Sequence, residues 1–194
     1  MRPKNPAKAT AIRTVALRII SEEGLENLSM QKLAKAANVS PRTIYLTYEN
    51  KEDLLIKLFI DEVLGSYEKA ILEGFSEDMG FAEGVETLWL NGFRYLAANP
   101  AGFALMQYGK SSPLLNKAFR ERNIQEGQFF APIHRFLRRH TEGKKIAPLP
   151  FEAQRALLFA PLTDLVQEYI EHSERIPETV VRAACAIAIK GITI

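Results

Sequence analysis

The chain has 194 residues, of which 47% are hydrophobic and 25% charged, an ordinary balance that excludes a disordered or collagenous chain and leaves room for one large domain or a small one joined to a larger. Its longest uninterrupted apolar run, Ala183 to Ile189, is far short of the ~20 residues a bilayer span needs, and Arg2, Lys4, Lys8, Arg13 and Arg18 break up the start of the chain, so neither an anchor nor a signal peptide is expected. The net charge of +2 hides a gradient: residues 1–48 hold eight Lys and Arg against three acids, a local balance of +5 that leaves −3 for the rest, which suggests a module aimed at a polyanion on a body that is not.

Asn5-Pro6 is a capping residue before a proline suited to the first helical position, and Ile12, Val15, Ala16, Ile19 and Ile20 follow at steps of three and four, so a helix is predicted to run to Gly24. Ser29 opens a short second helix with Met30, Leu33, Ala34 and Ala37 on one side. Ala37-Asn38-Val39 reads as a turn, because Asn tolerates the left-handed conformation. Ser40-Pro41 then starts a third helix anchored by Ile44, and Asn50 caps a fourth, with Asp53 at the capping-box position and Leu54, Leu55, Leu58 and Phe59 as its buried stripe. Helical spacing continues through Phe81–Ala98, Ala101–Tyr108, Leu114–His140, Phe151–Ser173 and Glu178–Ile192. No segment alternates with period two for long enough to form a strand. The expected fold is all-α, about nine helices.

Two short helices joined by a tight turn, with one helix before and one after, inside a basic segment, form the helix-turn-helix arrangement. Pro41, Arg42 and Thr43 occupy the leading turn of its second short helix. Arg42 carries the bidentate fork that matches guanine O6 and N7, and Thr43 and Thr47 can reach phosphate or a thymine methyl. Ser29, Ser40 and Lys51 stand at helix starts, where amides and dipole favour a phosphate oxygen.

The stretch from Leu33 to Leu55, with Val39-Ser40, Ile44-Tyr45, Tyr48, Asn50-Lys51-Glu52 and Leu54-Leu55 in order, resembles the N-terminal signature of the TetR family of bacterial one-component transcriptional regulators. It departs from the family's pattern at Asn38, where Gly is usual, and at Tyr48, where Phe is usual. The resemblance implies a homodimer that binds an inverted-repeat operator and represses. It implies that Ser29, Ser40, Tyr45 and Lys51 hold phosphates and that Arg42, Thr43 and Thr47 face base edges. Tyr45 has a competing reading as half-core beside Ile44. Leu46 is open between a thymine-methyl contact and a plain exposed leucine.

On this reading residues 1–52 form the DNA-binding domain and residues 53–194 a helical effector-binding and dimerisation domain. Each aromatic of the body has core filling as its simplest role. Together with Met106 they also allow an apolar effector cavity, for which the candidates are Trp89, Phe93, Phe103, Met106, Phe129, Phe130 and Phe159, with Gln107, Tyr108 and Asn123 as polar fixers; the resemblance implies such a ligand site. Leu158, Leu162, Leu165, Val166 and Tyr169 on one helix and Val181, Ala184, Cys185, Ala188 and Ile192 on the next share helical spacing and are the candidates for a two-fold seam, against burial inside one protomer. Cys185 there serves as a small apolar residue, and a lone cysteine excludes an intrachain disulfide or zinc finger, as a cytoplasmic setting predicts. The run His134, Arg135, Arg138, Arg139, His140, Lys144 and Lys145 suits a helix C-terminus, and secondarily an acidic ligand.

No nucleophile, base and orienter constellation, metal-ligand spacing or phosphate loop is present, so no enzyme, metal or cofactor is expected. The reading is a ligand-released repressor with operator DNA and a small, largely apolar effector as partners. The alternative keeps the DNA function and makes the body an interaction and dimerisation scaffold without a ligand.

Overall fold

The computed structural model describes residues 6–121, 129–172 and 176–194. It is all-α, and the one extended pairing among the described residues is an isolated antiparallel bridge between Ile146 and Thr193. The chain parts into two compact units, residues 1–65 with 99–124, and residues 66–98 with 125–194.

In the first unit α1 (Pro6–Glu23) is followed by a 3-10 turn (Leu25–Asn27), α2 (Met30–Ala36), α3 (Pro41–Tyr45) and α4 (Lys51–Lys57). Ile12, Ala16, Ile19 and Ile20 bury one face of α1, and Leu33, Ala34, Ile44, Leu54 and Leu55 complete the core beneath the short helices. Gly24, at φ 88°, stops α1 in a conformation that side chains rarely adopt. Helix α4 runs on through a π-helical segment (Leu58–Leu64). Helix α7 (Pro100–Ser111) packs against α1 and that segment, so closely that a Cβ on Gly109 would run into the Phe59 ring. Helix α8 (Pro113–Glu121) completes the unit.

The second unit holds α5 (Gly65–Ile71), α6 (Phe81–Ala98), α9 (Ala131–Glu142), α10 (Phe151–Glu171) and α11 (Glu178–Ile192). Helices α6, α10 and α11 pack on one another around Leu88, Trp89, Leu158, Leu162, Val166 and Val181, all essentially inaccessible. The Trp89 indole N–H donates to the Leu158 carbonyl at 2.8 Å, so a large apolar ring is buried with its polar atom satisfied. Pro161 lies inside α10, where the absence of its N–H loosens the turn that includes Leu157 and Leu158. Arg182 of α11 pairs with Glu178 and with Glu86 of α6, and Arg94 of α6 pairs with Glu178 at 2.8 Å. These arginines hold the Glu178 carboxyl below its ordinary range.

The expected Leu114–His140 helix is two, α8 and α9. Phe130 takes a left-handed φ of 61° and Pro132 sits in the first turn of α9, so the chain restarts there. Asn5, the expected cap of α1, lies outside the described residues.

Candidate nucleic-acid interface

The geometry of α2 and α3 follows from their caps. Ser29 Oγ accepts from Lys32 N at 3.1 Å and Ser40 Oγ accepts from Thr43 N at 3.2 Å, each satisfying an amide its helix leaves open. Between them Asn38 adopts φ 51°. Val39 N bonds the Ala34 carbonyl at 3.0 Å and Asn38 N bonds that of Lys35 at 3.2 Å, which is the Schellman closure with Asn in the left-handed position where Gly is commoner. The turn is short enough that α2 and α3 stay in contact.

Two lysines then fix α4 against this pair. Lys51 Nζ donates to the Leu25 carbonyl at 2.8 Å, which ties the start of α4 to the 3-10 turn. Lys57 Nζ donates to the Thr47 carbonyl at 3.1 Å, pairs with Asp53 at 2.7 Å and lies 5.5 Å over the ring of buried Tyr48. Asn50 caps α4 through Asp53 N at 2.8 Å, while Asp53 Oδ2 accepts from Glu49 N, one residue outside the expected reciprocal box. The positioning role of Lys57 was hidden in the sequence, because it arises from a carbonyl ten residues away at the end of α3.

With the scaffold closed, α3 divides by face. Ile44 is fully buried; Pro41, Arg42, Tyr45 and Leu46 are exposed and Thr43 and Thr47 half-buried. Tyr45, at 53% exposure, stands outside the core. The Arg42 guanidinium has no ion-pair or hydrogen-bond partner among the described residues, whereas Lys32 pairs with Glu23 and Lys57 with Asp53. Ser40 Oγ and Thr43 Oγ1 lie 2.9 Å apart and share a hydrogen bond, so one hydroxyl proton is already committed. The α3 surface therefore offers a free guanidinium, hydroxyls and apolar groups with no carboxylate among them, which suits the donor, acceptor and methyl pattern of a major groove.

The family model for bacterial regulatory proteins of the tetR family matches residues 12–58, the span that carries this geometry. Residues 12–58 are the N-terminal region of the TetR family. It is 34% identical over 113 residues to an uncharacterized HTH-type transcriptional regulator of Haemophilus influenzae, covering 58% of this chain and 60% of that one. It is 39% identical over 77 residues to the fatty acid metabolism regulator protein of Bacillus subtilis, covering 40% of this chain and 39% of that one. The chain thus matches less than two thirds of the length of either curated relative. Among solved structures, a TetR family transcription regulator from Marinobacter aquaeolei VT8 superposes with a TM-score of 0.85 at 26% identity over 100% of this chain and 99% of that one. The fold is also that of the transcriptional regulator FadR from Bacillus subtilis in complex with stearoyl-CoA, at a TM-score of 0.70, 20% identity, and coverage of 94% and 96%.

Outside the helix-turn-helix, the candidate ligand residues fall into both compact units. Phe103 and Met106 are buried and Gln107 and Tyr108 half-buried in the first. Gln107 Oε1 is buried with no hydrogen-bond partner among the described residues. In the second unit Trp89 is core, Phe93 meets the Tyr169 ring edge-on at 5.2 Å, Phe130 meets Tyr67 at 5.7 Å, and Phe129 and Phe159 are half-buried. Asn123 lies outside the described residues. The second unit carries an open depression of about 440 Å³ lined by Leu72, Phe75, Ser76, Glu77, Asp78 and Pro132, none of them among those candidates.

The seam candidates read from helical spacing divide by burial. Leu158, Leu162, Val166, Val181, Cys185 and Ile192 are buried within the protomer, while Leu165, Tyr169, Ala184 and Ala188 are half-buried. Both helices are apolar on more than one side, and the stripe with the bulkier residues faces α6. Burial pushes the Cys185 thiol up to about 12, so it stays protonated. The apolar side chains these helices leave exposed are instead Leu157 at 49%, Ile187 at 71%, Ile170 and Val180. The basic run of α9 is largely spent on its own unit. Arg135 forms a two-pronged bond to Glu77, Arg139 donates to the Met79 carbonyl at 2.5 Å, His140 Nε2 lies 3.2 Å from the same carbonyl, and His134 stacks on Phe151. Desolvation, helped by the neighbouring Arg139 and Lys145 charges, holds the His140 pKa below its ordinary value, despite an opposing bond to Met79.

Proposed function

We propose that this DNA-binding regulator is a cytoplasmic homodimeric repressor that binds a pseudo-palindromic operator and is released by a small, largely apolar effector. The observation that carries the reading is the face of α3, where the Arg42 guanidinium stands unpaired and exposed two residues before fully buried Ile44. A buried anchor fixes the helix angle and a free bidentate donor reads guanine. Ser29, Ser40, Tyr45 and Lys51 hold phosphates around it, and Thr43 and Thr47 face base edges. Lys51 reaches a phosphate with the ammonium protons that its bond to Leu25 leaves over. Residues 1–52 supply the DNA contacts and residues 53–194 the effector response and the dimer.

A two-fold operator requires two copies of the chain. The second copy docks on the exposed face of α10 and α11, through Leu157, Val180 and Ile187, because the bulkier apolar stripe is already inside the protomer. The effector is taken to be apolar and elongated, of the fatty acyl class. This is supported by the B. subtilis relative named for fatty acid metabolism and by the fold neighbour whose structure contains stearoyl-CoA. Effector binding shifts the population toward a spacing of the two α3 helices that no longer matches successive major grooves.

One observation favours the ligand-free scaffold instead: Trp89 and Phe103 are fully used as core. Selection of bound sites from random duplexes, followed by titration of the complex with stearoyl-CoA, separates the readings. A repressor yields a pseudo-palindrome that is released by the acyl thioester. A scaffold yields the same site with no release, and uniform binding to all duplexes contradicts both.

A further inference from the structure

We propose that Leu46 is a specificity-determining residue, whose side chain packs on the 5-methyl group of a thymine in each operator half-site. The inference rests on the DNA-reading role proposed above and adds a contact of different chemistry to it.

An exposed leucine on a protein surface needs no explanation by itself. Leu46 is set apart by its surroundings. It is 75% exposed, whereas every other leucine and isoleucine with a described side chain between Ile12 and Ile60 is buried or half-buried. Its backbone is still helical, at φ −70° and ψ −19°, and its N–H donates to the Arg42 carbonyl at 3.1 Å. Leu46 therefore stands one turn beyond Arg42 and projects from the same ridge of α3, since residues four apart share a helix face. That ridge belongs to the segment with a local charge of +5, so the surface it meets is a polyanion. A hydrocarbon side chain carried to a duplex by such a ridge has one apolar feature to recognise on the base edges of the major groove, the thymine methyl.

The spacing makes the inference specific. Four residues of α-helix rise ~6 Å, and successive base pairs are ~3.4 Å apart. With α3 lying along the groove, the thymine met by Leu46 lies about two base pairs from the guanine met by Arg42. The half-site so described holds a hydrogen-bonded guanine and a methyl-read thymine at fixed separation.

The test uses the full-length protein and the duplex it selects from a random pool, made with thymine or with deoxyuridine at that position in both half-sites. Uracil pairs like thymine and lacks only the methyl group. The wild-type protein is expected to bind the uracil duplex about fourfold more weakly per half-site, the scale of one buried methyl, and Leu46→Ala to bind the two duplexes equally. Leu46 is too exposed for the alanine variant to lose its fold, which a thermal melt checks; were it to unfold, the wild-type comparison alone decides. Equal binding of the two duplexes by the wild type, a selected site without thymine near that position, or an alanine variant that keeps the preference would each overturn the inference and leave the operator-binding reading intact. A pool that returns no sequence preference at all overturns both.

Discussion

Helix α3 and the pair α10 and α11 each leave aliphatic side chains in solvent, and the company those side chains keep is opposite. On α3, Leu46 shares its ridge with an unpaired arginine in a basic segment. On α10 and α11, Leu157 and Ile187 stand beside small residues such as Ala156, Ala160, Ala183 and Ala186, on helices whose other sides already fill a core. The first pattern suits a charged, grooved partner read side chain by side chain. The second suits a flat apolar partner that removes area from water. Exposure alone does not say what a surface is for; the charge and size of the neighbours do.

The largest effect expected on this contrast comes from Trp89. Trp89→Ala removes a fully buried ring and leaves the Leu158 carbonyl without its indole donor, so stability should fall by about 3–5 kcal/mol in denaturant unfolding. A loss below about 1 kcal/mol would mean that α10 is not held as described. Next is Ile187→Glu, which places a charge on the exposed stripe of α11. Sedimentation should show a dimer becoming a monomer with little change in the melt of the protomer, whereas Cys185→Ser, two residues back and on the opposite, buried side of the helix, should weaken folding before it weakens association. The reverse pattern would move the seam back to the inner stripe. Smaller still, Ser40→Ala removes the cap of α3 and should cost about 1 kcal/mol, with a loss of operator affinity beyond that of a distant mutation of equal cost, because the cap sets the orientation of Arg42.

The short helices were legible in the sequence because they left little choice. Ser29, Asn38, Ser40, Pro41 and Asn50 mark each boundary, and with one turn or two between boundaries a single apolar residue such as Ile44 decides which face is inside. Helices α10 and α11 were legible as helices to within a few residues, since Pro150 and Pro177 bound them, but not by face. Apolar residues occur all round them, and period alone does not say which stripe meets α6 and which meets solvent; that depends on partners up to 96 residues away, such as Glu86 for Arg182. The π-helical segment after Lys57 was illegible for a similar reason, as Leu58–Leu64 holds no glycine or proline to announce it; the restart of the chain at Phe130 did carry a signal, Pro132 in the first turn of α9, but the helical spacing on both sides masked it. The lysine staples, Lys51 on Leu25 and Lys57 on Thr47, look in the sequence like any solvated charge.

The central claim is that the exposed ridge of α3 reads sequence, and it is tested most directly by the ratio of affinities for the selected duplex and a scrambled one at a single fixed salt concentration, for the wild type and for Arg42→Ala. Losing a bidentate contact to guanine should lower affinity for the selected duplex by about 1–3 kcal/mol per half-site while binding to the scrambled duplex changes little, so the ratio collapses. If Arg42→Ala instead weakened both duplexes equally and left the ratio where it was, Arg42 would be a phosphate contact, and the assignment of sequence reading to this face of α3 would be contradicted.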